Sequence, residues 1–271
     1  MLTSATLGNV YLVNRLSARH NVVGMVIESR PPAVTAEEKW LRRRKLVQRH
    51  GLLRTVNKLL YNVYRSRVLA PSDARTFAEK LFPGGLPATY ERSAPTITVA
   101  GINDAATIAF VRENAPDLIA VCGTTVIKPA VFSLAKRGAI NIHTGITPEY
   151  RSADPIFWAL YNERPEKVGV TIHFVDQGID TGPIIRQAAV PVYAEDTLAA
   201  ISARCIQSGA ELYLEALDAL EAGAVGIVER PGVTGRAYYS IDLGLIEYLT
   251  FRWRFWRLKR RLPGEPLTCV G

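Results

Sequence analysis

Short apolar runs closed by small residues, with stretches of helical period between them, constrain this chain more than any other feature. Residues 21–28 and 117–123 are nearly unbroken apolar runs, and 96–103 and 138–143 read as strands leading into loops. Continuous apolar character without alternation suits strands buried on both faces. Helical period is expected over 7–18, 105–114 and 129–136. Strands alternating with helices predict an α/β fold, an open and mostly parallel sheet with helices on both faces. Ligands of such sheets sit beyond the carboxyl ends of the strands. Gly123 and His143 both fall at such ends and are expected to share a cleft. Residues 1–6 read as a weaker first strand, 184–192 and 226–229 as later strands, and 197–222 as a long amphipathic helix.

The run 138–143 holds Asn141 and His143 two positions apart, so on a strand their side chains share one face. An amide donor beside an imidazole suits acyl transfer: the amide stabilises a developing oxyanion and the ring moves a proton. Asp180, in a loop bounded by Gly178 and Gly182, supplies a carboxylate that can orient the imidazole and raise its pKa. Asp176, four residues earlier, is an alternative carboxylate. Asn-x-His alone more often marks a solvated strand end, but its surroundings change that weighting. Asn141-Ile142-His143 is followed by Pro148-Glu149-Tyr150-Arg151, Pro155 and Trp158-Ala159-Leu160, then by Gly169-Val170-Thr171-Ile172-His173 and Asp180-Thr181-Gly182-Pro183. This order resembles the folate-dependent formyltransferase family, densely over residues 97–190. That family includes the glycinamide ribonucleotide, methionyl-tRNA and nucleotide-sugar formyltransferases.

The resemblance implies a Rossmann-like fold and a catalytic set of Asn141, His143 and Asp180, the aspartate chosen by its place before Thr-Gly-Pro. It implies 10-formyltetrahydrofolate as formyl donor, held by Gly123, Thr124, Val126 and Ile127 on one side and Asp176, Gln177 and Gly178 on the other. Gly145-Ile146-Thr147-Pro148 takes the place of the family's Ser-Leu-Leu-Pro, with departures at Gly145 and Thr147, and Ser152 replaces the Gly that commonly follows Tyr-Arg. Gly8 and Asn9 fall in the first turn, near the expected position of a phosphate-bearing substrate. Arg151 could meet a substrate phosphate and Asp154 an amino-sugar ring. Trp158 and His173 read as core residues, His20 and His50 as surface ones. The acceptor expected is a small-molecule amine, a nucleotide-linked amino sugar used in surface-polysaccharide assembly. Methionyl-tRNA or glycinamide ribonucleotide is the alternative acceptor, and a non-catalytic folate- or sugar-binding protein of the same fold is the second.

Charge is distributed unevenly. Of 33 Lys and Arg, ten lie in 39–67 and six in 248–261, segments without acids; the remainder holds 17 basic against 25 acidic residues. Thr35 and Glu38 read as a capping box for a helix that follows the break at Arg30-Pro31-Pro32. Apolar residues from Trp40 to Tyr64 then recur at helical spacing, interrupted at Gly51, opposite Arg and Lys. Pro83-Gly84-Gly85 and Pro87 mark a turn. The organisation expected is a catalytic unit over 1–235, a basic helical insertion at about 34–82, and a basic aromatic extension at 236–271. The basic segments are expected either to touch an anionic membrane surface or to pack on the core or a second subunit, as in a homodimer. Nucleic acid is not favoured as a partner. Cys122, Cys205 and Cys269 are odd in number and widely spaced, so they frame neither a disulfide set nor a metal site. With no secretory signal at 1–6, the expected location is the cytoplasm, peripheral to the membrane's inner face.

Overall fold

The computed structural model describes residues 1–29, 35–85, 90, 94–230 and 233–262, the side chains of 36, 38, 39 and 42 excepted. Seven strands form one sheet in the order β3-β2-β1-β4-β5-β7-β8. They are β1 (Leu2–Ser4), β2 (Met25–Glu28), β3 (Thr96–Val99), β4 (Ile119–Cys122), β5 (Ala139–His143), β7 (Gly169–Phe174) and β8 (Ile184–Ala189). From β3 to β5 every neighbour is parallel. Beyond β5 the pairing turns antiparallel, β5 with β7 and β7 with β8. A separate parallel pair joins β6 (Tyr150–Ser152) to β9 (Arg236–Tyr238). The fold is thus the mostly parallel α/β sheet that the strand–helix alternation predicts.

Side-chain alternation divides the core into two layers. Ala120 and Cys122 of β4 with Ile140 and Ile142 of β5 face one cluster, and Ile119, Val121 and Ala139 face the other. The first layer is covered by α1 (Leu7–Ser17), α7 (Pro155–Tyr161) and α8 (Leu198–Glu221). The second is covered by α5 (Ala105–Asn114) and α6 (Pro129–Phe132). Local chemistry starts two of these helices: Thr6 accepts from Asn9 N, and Thr197 from Ala200 N.

Several elements differ from the expected ones. The weak strand at 1–6 is β1, central in the sheet, because Leu2 is buried between parallel neighbours. The helix expected at 129–136 is only α6, since Arg137 N bonds Asp117 O and Gly138 O accepts from Ile119 N, which ties the chain back to β4. β8 ends at Ala189, and 226–229 contributes one bridge, Val228 to Ile184. His20 is a partly buried residue, its ring between Glu221 (3.1 Å) and Asp218 (3.5 Å). Trp158, by contrast, is core as expected, stacked on Tyr238 at 4.6 Å. The Arg30-Pro31-Pro32 break, Pro87 and Cys269 lie outside the described residues.

The basic segment folds as α2 (Ala36–His50), α3 (Leu52–Tyr64), a π-helical turn (Arg65–Leu69) and α4 (Ala70–Leu81). Gly51 at φ +82° makes the break between α2 and α3, a conformation open to glycine. The α4 helix packs on α8. On α3, by contrast, only Thr55 and Tyr61 are buried; Leu53, Val56, Leu60 and Val63 stay exposed. The last helix among the described residues, α9 (Leu245–Lys259), buries Tyr248, Phe251, Phe255 and Leu258 in the first core layer. Among the described residues no helix is long and apolar enough to cross a membrane.

One buried side chain links helix to sheet. Tyr213 of α8 is fully buried, accepts from Val121 N at 3.0 Å and donates to Ile140 O at 2.9 Å, bridging β4 and β5. Tyr213→Phe removes both of these hydrogen bonds from a dry core, so a loss of about 1–3 kcal/mol is expected. A urea titration should show a lower midpoint with an unchanged slope.

Candidate active site

The carboxyl end of β5 carries Asn141 and His143, and the antiparallel neighbour β7 sets His173 opposite Asn141. Nε2 of His143 lies 2.8 Å from the Tyr150 carbonyl oxygen. A carbonyl only accepts, so Nε2 carries a hydrogen and Nδ1 is the nitrogen that gains or loses a proton. Nδ1 stands 3.4 Å from Asp180 Oδ2. By the same argument His173 donates from Nδ1 to Phe174 O at 2.7 Å. Its Nε2 faces Asn141 Nδ2 at 3.3 Å and Asp180 Oδ1 at 3.5 Å. The His173 acceptor turns the Asn141 NH2 toward itself, and the second N–H of that group makes no other hydrogen bond among the described residues.

The loop that delivers Asp180 is shaped by its own residues. Asp176 accepts from Gly178 N at 3.0 Å and from Thr181 Oγ1 at 2.7 Å, which closes the turn. Asp180 takes a left-handed φ of +52°, tolerable for aspartate, and its Oδ2 accepts from Ser152 N at 2.9 Å. A Cβ at position 182 would lie 1.8 Å from Phe174 O, so the chain can pass there only as glycine. The two carboxylates therefore have different tasks: Asp176 holds the loop, and Asp180 meets both histidines.

Electrostatics differ from expectation at one point. Burial lowers the His143 pKa more than the Asp180 carboxylate raises it, so the net shift is downward and not upward. The ring is neutral at pH 7, with its Nδ1 lone pair toward the carboxylate. Burial also opposes ionisation of Asp180, but the His173 ring, the His143 ring and the Ser152 amide prevail and hold its carboxyl at about 2. A neutral base beside a fixed anion can take up a proton that the anion then stabilises.

These groups open onto a cleft of about 520 Å³. Gly123, Thr124, Val126, Ile127, Asp176 and Gly178 line it, as the resemblance implies, together with Asn141, His143 and Asp180. Gln177 and the segment Gly145–Pro148 are not among the lining residues. Gly145 instead makes room for the imidazole, since a Cβ there would lie 2.6 Å from His143 Nε2, and Thr147 is buried under Thr171 and Gln187. Gly8 packs against Phe77 and Ile206. The Asn9 amide is engaged with Ser4 and the Gly123 carbonyl, and neither Gly8 nor Asn9 is among the lining residues. Arg151 sits on β6 beside the cleft, its Nε buried without a hydrogen-bond partner among the described residues. Asp154 stands at the N-cap position of α7 in a left-handed backbone, and its side chain makes no capping hydrogen bond. A second cavity of about 420 Å³ at the opposite end of the sheet, around Leu16, His20 and Arg137, contains none of these groups.

Sequence reasoning did not name Val121, Thr125, Ile142, Ser152, Ala153, His173, Val175 and Ile179 as lining residues. His173 carried one usable signal: it shares strand parity with Thr171, which an antiparallel register would set opposite His143. That register was not readable without the fold.

In an NMR titration of the imidazoles, His143 should titrate below the ordinary value of about 6.5. Asp180→Asn removes the charge that raises it, so the midpoint should move lower still. A midpoint above the ordinary value in the wild type would contradict the burial argument.

Residues 74–217, just over half of the chain, match the family model described as Formyl transferase. The methionyl-tRNA formyltransferase of Pelotomaculum thermopropionicum is 33% identical over 151 residues, 55% of this chain and 48% of that protein. The chain thus spans about half the length of the relatives it matches. By fold it is similar to a likely sugar N-formyltransferase from Mycobacterium tuberculosis, with a TM-score of 0.56 and 20% identity over 94% of this chain and 85% of that one. It is also similar to the phosphoribosylglycinamide formyltransferase of Streptococcus pneumoniae, with a TM-score of 0.52 and 21% identity over 81% and 97% of the two chains. With an Asn–His–Asp constellation inside the matched segment and a sheet of the same architecture, the chain belongs to the formyl transferase family.

Proposed function

We propose that this chain moves a formyl group from 10-formyltetrahydrofolate to a primary amine. The convergence of Asn141, His143 and Asp180 on one cleft carries the reading. The donor brings the formyl group on a nitrogen. Its ring system has apolar walls to lie against at Val126, Ile127, Ile142 and Val175, and backbone groups to meet along 123–127 and 176–180. The free N–H of Asn141, aimed by His173, donates to the formyl oxygen as negative charge develops there. The neutral His143 takes at Nδ1 the proton shed by the attacking amine and returns it to the departing nitrogen. Asp180 stabilises the imidazolium in the interval and stays ionised throughout. The C–N bond formed to the acceptor replaces the one broken to the donor, and no oxidant or metal enters the balance.

The acceptor proposed is the amine of an amino sugar, nucleotide-linked and destined for a surface polysaccharide. Its support is the extent of the likeness in fold: the likely sugar N-formyltransferase covers 94% of this chain, and phosphoribosylglycinamide formyltransferases 81–88%. Arg151, with its unpartnered Nε beside the cleft, suits a phosphate of such an acceptor, and Asp154 a sugar hydroxyl. Methionyl-tRNA is the second reading, favoured by the 33% identity to enzymes of that name. A protein that only bound folate or sugar would have no need of the three groups together.

Formyl transfer from 10-formyltetrahydrofolate should be assayed against a panel of nucleotide-linked amino sugars, methionyl-tRNA and glycinamide ribonucleotide. Turnover with one sugar and not with the other two is expected; transfer to methionyl-tRNA alone would overturn the choice of acceptor. Asn141→Ala should lower kcat by roughly 10²–10³ and His143→Ala by roughly 10²–10⁴. A variant that keeps full turnover would remove that residue from the mechanism.

A further inference from the structure

The helices α3 and α9 lie side by side and run the same way. Asn57 donates to Glu247 at 2.8 Å and accepts from Ile246 N at 3.0 Å, and seven residues on, Tyr64 meets Arg252. On α9 the buried face is Tyr248, Phe251, Phe255 and Leu258, and Ile246, Leu249, Trp253 and Trp256 form a stripe opposite it. On α3, Leu53, Val56, Leu60 and Val63 form a stripe within about one quarter of the helix circumference, at 100° per residue. Asn57, Tyr61 and Tyr64 adjoin that stripe and face α9. Each stripe therefore lies about a quarter turn from the line of contact and away from the core. The two stripes form one outward apolar band. Its members are well exposed, with Leu53 at 87%, Ile246 at 66% and Trp253 at 55%.

Cations surround this band. Arg257 stacks on Trp253 at 4.7 Å and Arg260 on Trp256 at 3.6 Å, so each indole is paired with a guanidinium. On α2, Arg44 lies over the exposed Trp40 at 5.5 Å. The segments that build the band hold sixteen Lys and Arg without an acid between 39–67 and 248–261. A soluble surface rarely leaves this much contiguous apolar area to water.

We propose that this face docks on an anionic lipid membrane. Charge complementarity selects that occupant. An isologous contact with a second copy would set two faces built from these acid-free, cation-rich segments against each other. RNA would meet the cations but leave Leu53, Val56, Leu60 and Val63 without an apolar partner. A lipid interface with acidic headgroups satisfies both sets at once: the aliphatic side chains and indoles enter the headgroup–acyl boundary and the guanidinium groups stay among the phosphates. Among the residues that line the catalytic cleft, none belongs to α2, α3 or α9, so substitutions on the band leave that lining unaltered. The inference does not rest on which amine accepts the formyl group.

The full chain is to be floated with vesicles of phosphatidylcholine alone and with vesicles containing phosphatidylglycerol, at low and at high salt. The expected result is flotation with the phosphatidylglycerol vesicles, weakened by salt. The exposed-site variant Leu53→Glu/Leu60→Glu/Trp253→Glu should lose about tenfold or more of that binding while formyl transfer to a soluble amine is kept. Arg257→Glu/Arg260→Glu tests the charge arm without altering the aliphatic band and should also reduce flotation. Failure to float at low salt, equal flotation on neutral vesicles, or flotation of the triple variant like the wild type would each overturn the proposal. So would a dimer that the triple variant dissociates, or tRNA binding that displaces the vesicles and survives the triple substitution.

Discussion

The Asp180 carboxylate is the interaction on which the arrangement of the cleft depends. It is a mostly buried anion, and such a charge persists only where donors and cations replace the water it has lost. It accepts from the Ser152 amide on β6, and the His143 ring on β5 and the His173 ring on β7 each turn a nitrogen toward it at ion-pair distance, serving it as cations when protonated. The loop that carries it is fixed independently by Asp176 and by the close passage of Gly182 under Phe174. The anion is thus held by the sheet and not by the flexibility of a surface loop. Its low pKa follows from the same contacts.

The change from parallel to antiparallel pairing between β5 and β7 gives the cleft its second histidine. In an antiparallel pair, residues directly opposite share a face, so Asn141 and His173 become neighbours although 32 positions separate them. One ring, His143, is anchored through Nε2 to a backbone carbonyl and left with a basic Nδ1. The other, His173, is anchored through Nδ1 and left with an accepting Nε2. Two imidazoles with opposite anchoring can serve opposite purposes, the first to carry a proton and the second to aim an amide. Burial keeps the first neutral, and the nearby anion makes its protonated form accessible.

Outside the cleft, the molecule separates its apolar helical faces into two kinds. The α8 face and the inner face of α9 close over the sheet, and Tyr213 and Phe251 show how fully they are absorbed into the core. The stripe on α3 and the outer stripe on α9 have the same period and the same residue types, yet they point to solvent. Periodicity specifies that a face is apolar. It does not specify what covers that face, because cover is decided by which surfaces the rest of the chain has already filled.

The sequence by itself determined the alternation of strands and helices, the break at Gly51, the shared face of Asn141 and His143, and the confinement of positive charge to two segments. Each of these follows from local chain geometry or composition, which neighbours in sequence settle among themselves. Only the tertiary structure decided that residues 2–4 occupy the centre of the sheet and that Asp180 and not Asp176 reaches the imidazoles. It also placed His173 beside Asn141 and set the direction of the His143 pKa. These depend on strand register, on a loop closed by its own side chains, and on exclusion of water, none of which exists until distant segments have packed together.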